Sequence, residues 1–126
     1  MHASIEELPV TIAEDGAVVR EVEWGELHVG HETYETAFDL SPLLKGLPND
    51  MCQCPHWGYV IRGRMHVHYP DRNEVVEAGS VYYMPPDHSP VMEAGTEIVE
   101  FSPKEPYQQT MEVAAKNFLA LQAQEA

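Results

Sequence analysis

Residues 52–90 read CQCPHWGYVIRGRMHVHYPDRNEVVEAGSVYYMPPDHSP, and this stretch decides the fold class. HWGYVIR and RMHVHY predict two short strands joined near Gly63, EVVEAG predicts a strand that ends in a turn at Gly79, and SVYYMP predicts another strand. We expect PDHSP to form a loop bounded by prolines. Many short strands at nearly even spacing are typical of a β-sandwich or a β-barrel.

The flanking segments extend this pattern. Residues 18–38 alternate charged and apolar side chains at a period of two, which predicts two or three strands, and residues 95–103 predict a last β segment. Residues 41–50 are rich in turn residues and predict a loop with apolar anchors. The tail changes period and predicts a helix packed on the barrel wall, because its apolar residues recur at helical spacing: Met111, Ala114, Ala115, Phe118 and Leu119.

Chain length and charge limit the organisation and the partners. A chain of 126 residues holds one core, so we expect an N-terminal arm (1–17), a barrel (18–106) and a C-terminal helix (107–126). The formal net charge of −14 repels phosphate backbones and anionic headgroups, which argues against nucleic acid and membrane as partners. The start of the chain has no basic-then-apolar run, and we expect a cytoplasmic location.

Three residues with metal-binding side chains alternate at the beginning of the quoted stretch. If this segment is an extended strand, Cys52, Cys54 and His56 project from the same face. Thiolate and imidazole are preferred by zinc, iron and copper, and His88 is the expected partner from a facing segment. A disulfide between cysteines separated by one residue would be strained, so both are expected to be reduced.

Other interpretations apply to individual residues of these types. Free cysteine is often simply buried, which is the stronger interpretation for Cys54 taken alone. His66 and His68 share a strand face, but Met65, Val67 and Tyr69 alternate with them and are better candidates for the interior. His28 and His31 are three residues apart, cannot share a strand face, and are expected to be solvated.

The stretch from Cys52 to Pro103 resembles the cupin superfamily of small β-barrels. The first cupin motif has two histidines, then a glutamate, six residues and a glycine; here His56 stands in the glutamate position before Gly63, with Cys52 and Asp50 in the histidine positions. The second motif is matched by Gly79, five residues and Pro85, followed by His88. Asp87 departs from the motif, which has a turn glycine there.

The resemblance implies an all-β fold: a single cupin barrel, that is, a jelly-roll-like double-stranded β-helix, here with a C-terminal α-helix. Cupins usually bind a metal through three histidines and a glutamate, so it also implies the place of one divalent transition metal with a changed ligand set. Imidazole and thiolate soften such a site, which favours zinc or copper over manganese, while iron stays open. The sequence also looks like single-domain bacterial cupins with CxxxH, GYVxxG and PPxH motifs, mostly of unassigned function.

A barrel with a metal at its bottom and aromatic side chains at its mouth is a pocket for a small molecule. If Cys52, His56 and His88 leave a fourth coordination position open, the protein is an enzyme candidate. Three further residues are candidates for substrate contact or proton transfer, although core packing of the tyrosines and a surface position of the glutamate explain them equally well: Tyr59, Tyr83 and Glu100.

Two other hypotheses stay open. If Cys54 is a fourth ligand, the zinc shell is closed and the protein is a structural or sensing module. Alternatively, the barrel binds no metal and stores an apolar ligand or pairs with a partner. Cupins are commonly dimers, so the resemblance implies a homodimer.

Overall fold

The computed structural model describes residues 1–125, which form two antiparallel sheets and one α-helix. The strands are β1 (Val10–Glu14), β2 (Ala17–Trp24), β3 (Leu27–Tyr34), β4 (Phe38–Asp39), β5 (His56–Arg62), β6 (Arg64–His68), β7 (Asn73–Glu77), β8 (Val81–Met84), β9 (Ser89–Met92) and β10 (Thr96–Pro103), and the helix is α1 (Lys104–Glu125). One sheet has the order β1-β2-β3-β10-β5-β8, and the other has the order β4-β9-β6-β7. The all-β prediction with a C-terminal helix is confirmed.

The hydrophobic core lies between the two sheets. The alternation of β6 turns Met65 and Val67 inward, where at most 1% of either residue is exposed. They pack with Val60 and Met84 of the first sheet and with Ile98 of β10. The prediction that Met65, Val67 and Tyr69 are interior residues is therefore confirmed.

The turn between β5 and β6 requires glycine. Gly63 has a φ of 80°, and a Cβ atom there would lie 2.6 Å from the Cα atom of Thr96. Both the left-handed backbone and the close approach of β10 exclude larger residues. This turn reverses the chain from the first sheet into the second, so the glycine sets the position of the two facing layers.

Two strands were not predicted. Part of the expected N-terminal arm forms β1, which pairs with β2 across a register shift between Val10 and Ile12. The expected loop around Pro90 contains the beginning of β9, which pairs with β4 and β6. Proline lacks an N–H donor and lowers the strand signal, although the Pro90 carbonyl still accepts a hydrogen bond from the Leu40 amide at 3.3 Å.

The helix α1 follows β10 directly and begins at Lys104, three residues before the expected start at Tyr107. The expected end at residue 126 lies outside the described residues. Thr110 and Ala114 are buried against the barrel, and residues 41–50 form two short 3₁₀ helices beside it, Ser41–Leu43 and Pro48–Asp50. Among the described residues, no helix is long and apolar enough to cross a membrane.

Candidate metal centre

Two of the three candidate ligands lie on loop segments, and backbone hydrogen bonds join these segments. Cys52 and His88 form an isolated antiparallel bridge, in which the Cys52 amide donates to the His88 carbonyl at 2.8 Å. The Cys52 carbonyl accepts from the amides of Asp87 at 2.8 Å and His88 at 3.2 Å. His56 is the first residue of β5. The backbone therefore fixes all three positions before any side chain is considered.

The three side chains converge in the interior. One potential ligand atom from each of Cys52, His56 and His88 lies within 4.8 Å of the other two, and all three residues are buried. Cys52 Sγ is 3.6 Å from His56 Nε2, and the two imidazole rings meet edge to face with centroids 4.9 Å apart. This spacing suits one ion bound by a thiolate and two imidazoles.

Hydrogen bonds from the far side of each ring orient the two histidines. His88 Nδ1 donates to the Pro85 carbonyl at 2.6 Å, which leaves the lone pair on Nε2. His56 Nδ1 lies 2.6 Å from Ser102 Oγ and 3.6 Å from Glu100 Oε2, while its Nε2 faces Cys52. Histidines that bind metals are usually held in this way through their second nitrogen.

His88 Nε2 is the atom that best fits a metal. It is completely buried and has no hydrogen-bond partner among the described residues. A buried nitrogen of this kind costs about 1–3 kcal/mol when nothing compensates it. Coordination of a metal ion would satisfy its lone pair, so the residues present fit the group that the donor set implies.

Burial keeps the two imidazoles neutral, because it lowers the pKa of both His56 and His88 to about 4. A neutral ring is the form that binds a metal. Burial also raises the pKa of the Cys52 thiol to about 11. The thiol is therefore protonated in the metal-free protein at neutral pH, and coordination must release its proton.

The structure does not bring Cys54 to this cluster. Residues 53–55 form no regular strand, so the alternation that would have aligned Cys54 with Cys52 and His56 does not exist. The Cys54 thiol donates to the Pro55 carbonyl at 3.4 Å and is packed beside Leu44, and only 1% of the residue is exposed. Both cysteines are free, as expected.

A cavity of about 420 Å³ adjoins the three side chains. Both sheets contribute apolar side chains, among them Met84, Met92 and Phe38, and α1 closes one side with Met111 and Phe118. The helix that the sequence predicts on the barrel wall therefore also forms one wall of the cavity.

Two glutamates face the cavity beside the metal-binding side chains. Glu100 is buried and accepts a hydrogen bond from Tyr82 Oη at 2.8 Å, and Glu32 accepts one from Tyr34 Oη. Burial raises the pKa of Glu100, and burial together with the charge of Glu100 raises the pKa of Glu32. A surface position of Glu100 was one of two interpretations of its sequence context, and the structure instead buries it at the cavity.

A glycine makes room for one of these contacts. Gly58 lies opposite Tyr82 in the ladder between β5 and β8. A Cβ atom at Gly58 would lie 2.4 Å from the Tyr82 hydroxyl. Without a side chain at position 58, the Tyr82 ring can cross β5 and reach Glu100 on β10.

Tyr59 and Tyr83 are not at the cavity, although they were candidates for substrate contact. Both lie on the outer face of the first sheet, with 40% and 51% of their surface exposed, and Tyr83 stacks on Trp57 at a centroid distance of 5.1 Å. The neighbour Tyr82 faces inward instead. Glu32, Tyr34 and Tyr82 were not predicted as site residues, and only an exact strand register would have revealed them.

Two histidines expected to be solvated are buried. His28 stacks on Tyr107 of α1 at 3.5 Å and hydrogen-bonds Glu21, and His31 lies 2.7 Å from Glu97 on the outer face. They do lie on opposite faces, but the helix covers His28 and the side chains of the neighbouring strand cover His31. His66 and His68 lie outside the core as expected, hydrogen-bonded to Glu93 and Asn73.

Comparisons with known proteins give structural likeness alone. No protein-family model matches the sequence, and no curated protein matches it. An RmlC-like cupin from Shewanella frigidimarina has a TM-score of 0.58 at 16% identity, over 80% of this chain and 87% of that one. The polyketide cyclase RemF from Streptomyces resistomycificus has a TM-score of 0.59 at 13% identity, over 83% and 80%. A putative ethanolamine utilization protein Q from Salmonella typhimurium has a TM-score of 0.56 at 10% identity, over 79% and 81%.

Proposed function

We propose that this chain, which has the cupin fold, holds one divalent transition metal through Cys52, His56 and His88 and binds a small molecule in the adjoining cavity. The observation that carries the proposal is the buried, unpartnered Nε2 of His88, which lies with the Cys52 sulfur and a His56 ring nitrogen in one cluster. Zinc is the first choice for a thiolate and two imidazoles, with iron or copper as alternatives.

The donor set supports an open site. Three protein ligands leave a fourth position, and the ligands line the cavity, where a water or a substrate atom can reach the ion. When bound, the metal would supply Lewis acidity or lower the pKa of a bound water. Ser102 and Pro85 orient the two imidazoles, and α1 keeps bulk water from one side of the cavity.

The position of Glu100 favours an enzyme over a passive binding module. Its carboxyl group lies 3.6 Å from His56 Nδ1 and also lines the cavity, so it can exchange a proton with a molecule bound there. A non-catalytic module that binds or senses a small ligand is the second candidate, because the same cavity can serve it. A closed four-ligand zinc shell has no support, because Cys54 lies outside the cluster.

Elemental analysis of untagged protein tests the metal proposal. Wild-type protein incubated with zinc should retain about one equivalent after desalting, and Cys52→Ser and His88→Ala should lose it, since a serine hydroxyl or a methyl group does not replace the ligand. Cys54→Ser is the matched control and should keep its metal, while the buried hydroxyl lowers the free energy of unfolding by about 1–3 kcal/mol.

Three results would contradict the proposal. Equal metal loss in Cys52→Ser and Cys54→Ser would support a four-ligand shell and a structural or sensing role. A larger loss in Cys54→Ser would show that the ligands have been misassigned. No retention of zinc, iron or copper by the wild type would leave the fold without a metal function.

We also propose that the protein forms a homodimer through the outer patch, a set of exposed apolar side chains on the first sheet: Leu27, Trp57, Tyr59, Val81, Tyr83 and Phe101. Phe101 pairs with Trp57, and Trp57 pairs with Tyr83, so the aromatic side chains lie side by side across three strands. None is charged, and in a chain of net charge −14 such a face lets a second copy approach with the least repulsion.

Sedimentation velocity tests the homodimer. Trp57→Glu should give a monomer, because the interface would then bury a carboxylate on each side. Val75→Glu is the matched control, since Val75 is also exposed but lies on β7 of the other sheet. A monomeric wild type, or a dimer that Trp57→Glu leaves intact, would overturn this part of the proposal.

A further inference from the structure

We infer that Thr110 of α1 is a positioning residue of the proposed metal centre, and that its hydroxyl group donates a hydrogen bond to the Cys52 thiolate when the ion is bound. This role rests on the proposed function, because it requires Cys52 to be a metal ligand. One side chain of the C-terminal helix then holds a metal ligand in place, in addition to the part that the helix has in closing the cavity.

The Cys52 sulfur has three hydrogen-bonding neighbours. Sγ lies 3.7 Å from the Cys54 carbonyl oxygen, 3.6 Å from His56 Nε2 and 3.9 Å from Thr110 Oγ1. Sulfur has a larger radius than oxygen, so its hydrogen bonds are longer. A thiol carries a single proton, and in the metal-free protein it can donate that proton to only one of the three neighbours at a time.

Coordination of an ion changes which neighbour can stabilise the sulfur. The thiol loses its proton when it binds a metal, so the thiolate accepts hydrogen bonds and can no longer donate one. The Cys54 carbonyl has no proton to donate, and the ion would use the lone pair on His56 Nε2. The Thr110 hydroxyl has a proton, and a hydrogen bond to a charged acceptor is stronger than one between neutral groups. Thr110 is therefore the side chain that can donate to the metal-bound sulfur.

The Thr110 hydroxyl has no competing partner. Threonine in a helix can bond the carbonyl group four residues earlier, which here belongs to Pro106. Among the described residues, however, Thr110 Oγ1 forms a hydrogen bond with Cys52 Sγ alone. The residue is also buried, so this bond is shielded from bulk water.

Thr110 is a polar residue on the apolar side of the helix. It lies four residues before Ala114 and eight before Phe118, so it belongs to the stripe that faces the barrel. Among the described residues of α1, Thr110 and Ala114 are the two that are buried. Valine would fill the same space without burying a hydroxyl group, which costs free energy unless it is hydrogen-bonded. Packing alone does not account for threonine at this position, and the contact with Cys52 does.

Contacts on either side of Thr110 hold the helix over the metal-binding side chains. Tyr107, one turn earlier, packs against the apolar cluster that contains Cys52 and donates a hydrogen bond to Glu21 at 2.6 Å. Asn117, about two turns later, donates to two loop carbonyl groups at 2.8 Å each. None of these contacts involves the Thr110 hydroxyl, so docking of the helix can be weakened separately from the bond to the sulfur.

Zinc affinity, measured by competition with a chromophoric chelator at pH 7, tests the inference. Thr110→Val removes the hydroxyl group at similar volume and should raise the zinc Kd about tenfold, as loss of a group that holds a metal ligand does. Thr110→Ser keeps the hydroxyl group and should bind zinc nearly as tightly as the wild type. Thr110→Ala removes the same hydroxyl group and replaces the valine variant if that variant does not fold.

Asn117→Ala is the matched control for docking of the helix. It removes two hydrogen bonds between α1 and the loop but none at the sulfur, so its zinc Kd should stay near the wild-type value. Equal weakening in Asn117→Ala and Thr110→Val would overturn the inference, because helix docking would then explain both. An unchanged Kd in Thr110→Val, or no recovery in Thr110→Ser, would overturn it as well.

The absorption spectrum of cobalt(II)-loaded protein gives a readout that a packing role would not move. A hydrogen bond stabilises the sulfur lone pair, so Thr110→Val should shift the thiolate-to-cobalt charge-transfer band to longer wavelength. Thr110→Ser should return the band toward its wild-type position. A band at the same wavelength in the wild type and in Thr110→Val would count against the hydrogen bond and overturn the inference.

The same spectra distinguish failure of the inference from failure of the proposed function. Cys52→Ser should show no thiolate-to-cobalt band, which assigns the band to this sulfur. If the wild type binds no cobalt, or binds it without the band, Cys52 is not a ligand and the proposed metal function fails together with the inference. If the wild type shows the band and loss of the Thr110 hydroxyl changes neither the band nor the zinc Kd, the inference alone fails and the metal function stands.

Discussion

The two faces of β10 place glutamates of the same strand in opposite environments. Glu100 faces the cavity, where burial raises its pKa. Glu97, three residues away, faces outward between His31 and Arg62, at 2.7 Å and 2.8 Å, and hydrogen bonds from both lower its pKa. Both residues are glutamates of one strand, so the surroundings on each face shift the two pKa values in opposite directions.

The same contrast extends across the whole first sheet. Its inner face carries the acids with no lysine or arginine among the described cavity-lining residues, and its outer face carries paired charges and the outer patch. Burial raises the pKa of Glu32 and Glu100 on the inner face, whereas two hydrogen bonds hold the carboxylate of Glu97 on the outer face.

The largest expected effect is on the free energy of unfolding, because side chains of the inner face are packed in the core and those of the outer face are not. Ile98→Ala, at a fully buried residue of the inner face, should lower the free energy of unfolding by about 2–5 kcal/mol, because it leaves a cavity in the core. Val81→Ala, at a residue with 82% exposure on the outer face, should change it by less than about 0.5 kcal/mol in monomeric protein. Urea denaturation of both variants in a Trp57→Glu background makes the comparison.

The second-largest expected effect is on the pH dependence of stability, which should differ between glutamates of the inner and the outer face. A raised folded-state pKa contributes stability below the unfolded pKa, and that contribution is lost as pH rises through the folded pKa. Compared with metal-free wild type, Glu32→Gln should therefore become relatively more stable between about pH 5 and pH 8, by roughly 1–3 kcal/mol. Urea denaturation across this range gives the difference curve.

The contribution of Glu97 to stability should change with pH in the opposite direction. Its lowered folded-state pKa gives stability that is present above the ordinary carboxyl range and is lost as pH falls through the folded pKa. Glu97→Gln should cost up to about 1 kcal/mol at neutral pH, less at high salt, and nothing at the lowest pH, since solvent screens this pair. The contrast between the faces would be refuted if the stability differences of Glu32→Gln and Glu97→Gln from wild type changed with pH in the same direction.

The smallest effect is expected at His66. His66→Ala should leave metal content unchanged and shift the free energy of unfolding by about 0.5 kcal/mol or less, because its ring lies outside the core, where it hydrogen-bonds Glu93. Elemental analysis beside the His88→Ala variant gives the control. Loss of metal from the His66 variant would show that the inner face of β6 has been misidentified.

Much of the fold was predictable because short, local patterns determine it. Met65, Val67 and Tyr69 show a clear period of two, and Gly63 marks the turn that both its φ and its packing require. The strands β1 and β9 were missed for local reasons: β1 has a shifted register, and β9 contains Pro90. β9 is a strand because it pairs with β4 and β6, which are distant in sequence, whereas β1 pairs with the neighbouring β2.

The site was only partly predictable, for a different reason. The spacing of Cys52, His56 and His88 was sufficient to predict a cluster, which the structure brings together. Cys54 would have joined the cluster only in a regular strand. Tyr59 and Tyr83 would have lined the cavity only if the opposite faces of their strands had turned inward. A one-residue error exchanges Tyr82 for Tyr83, and burial of His28 depends on a helix about 80 residues later in the chain.

The bridge between Cys52 and His88 has a consequence for the entropy of metal capture. In an unfolded chain, an ion held by these two residues would have to close a loop of about 36 residues, with the loss of chain freedom that closure entails. Here three backbone hydrogen bonds, with Asp87 accepting from Asn49 and Gln53 beside them, close that loop during folding. Cys52 and His88 are therefore already held close together when the ion binds, and its binding free energy is not spent on ordering the chain between them.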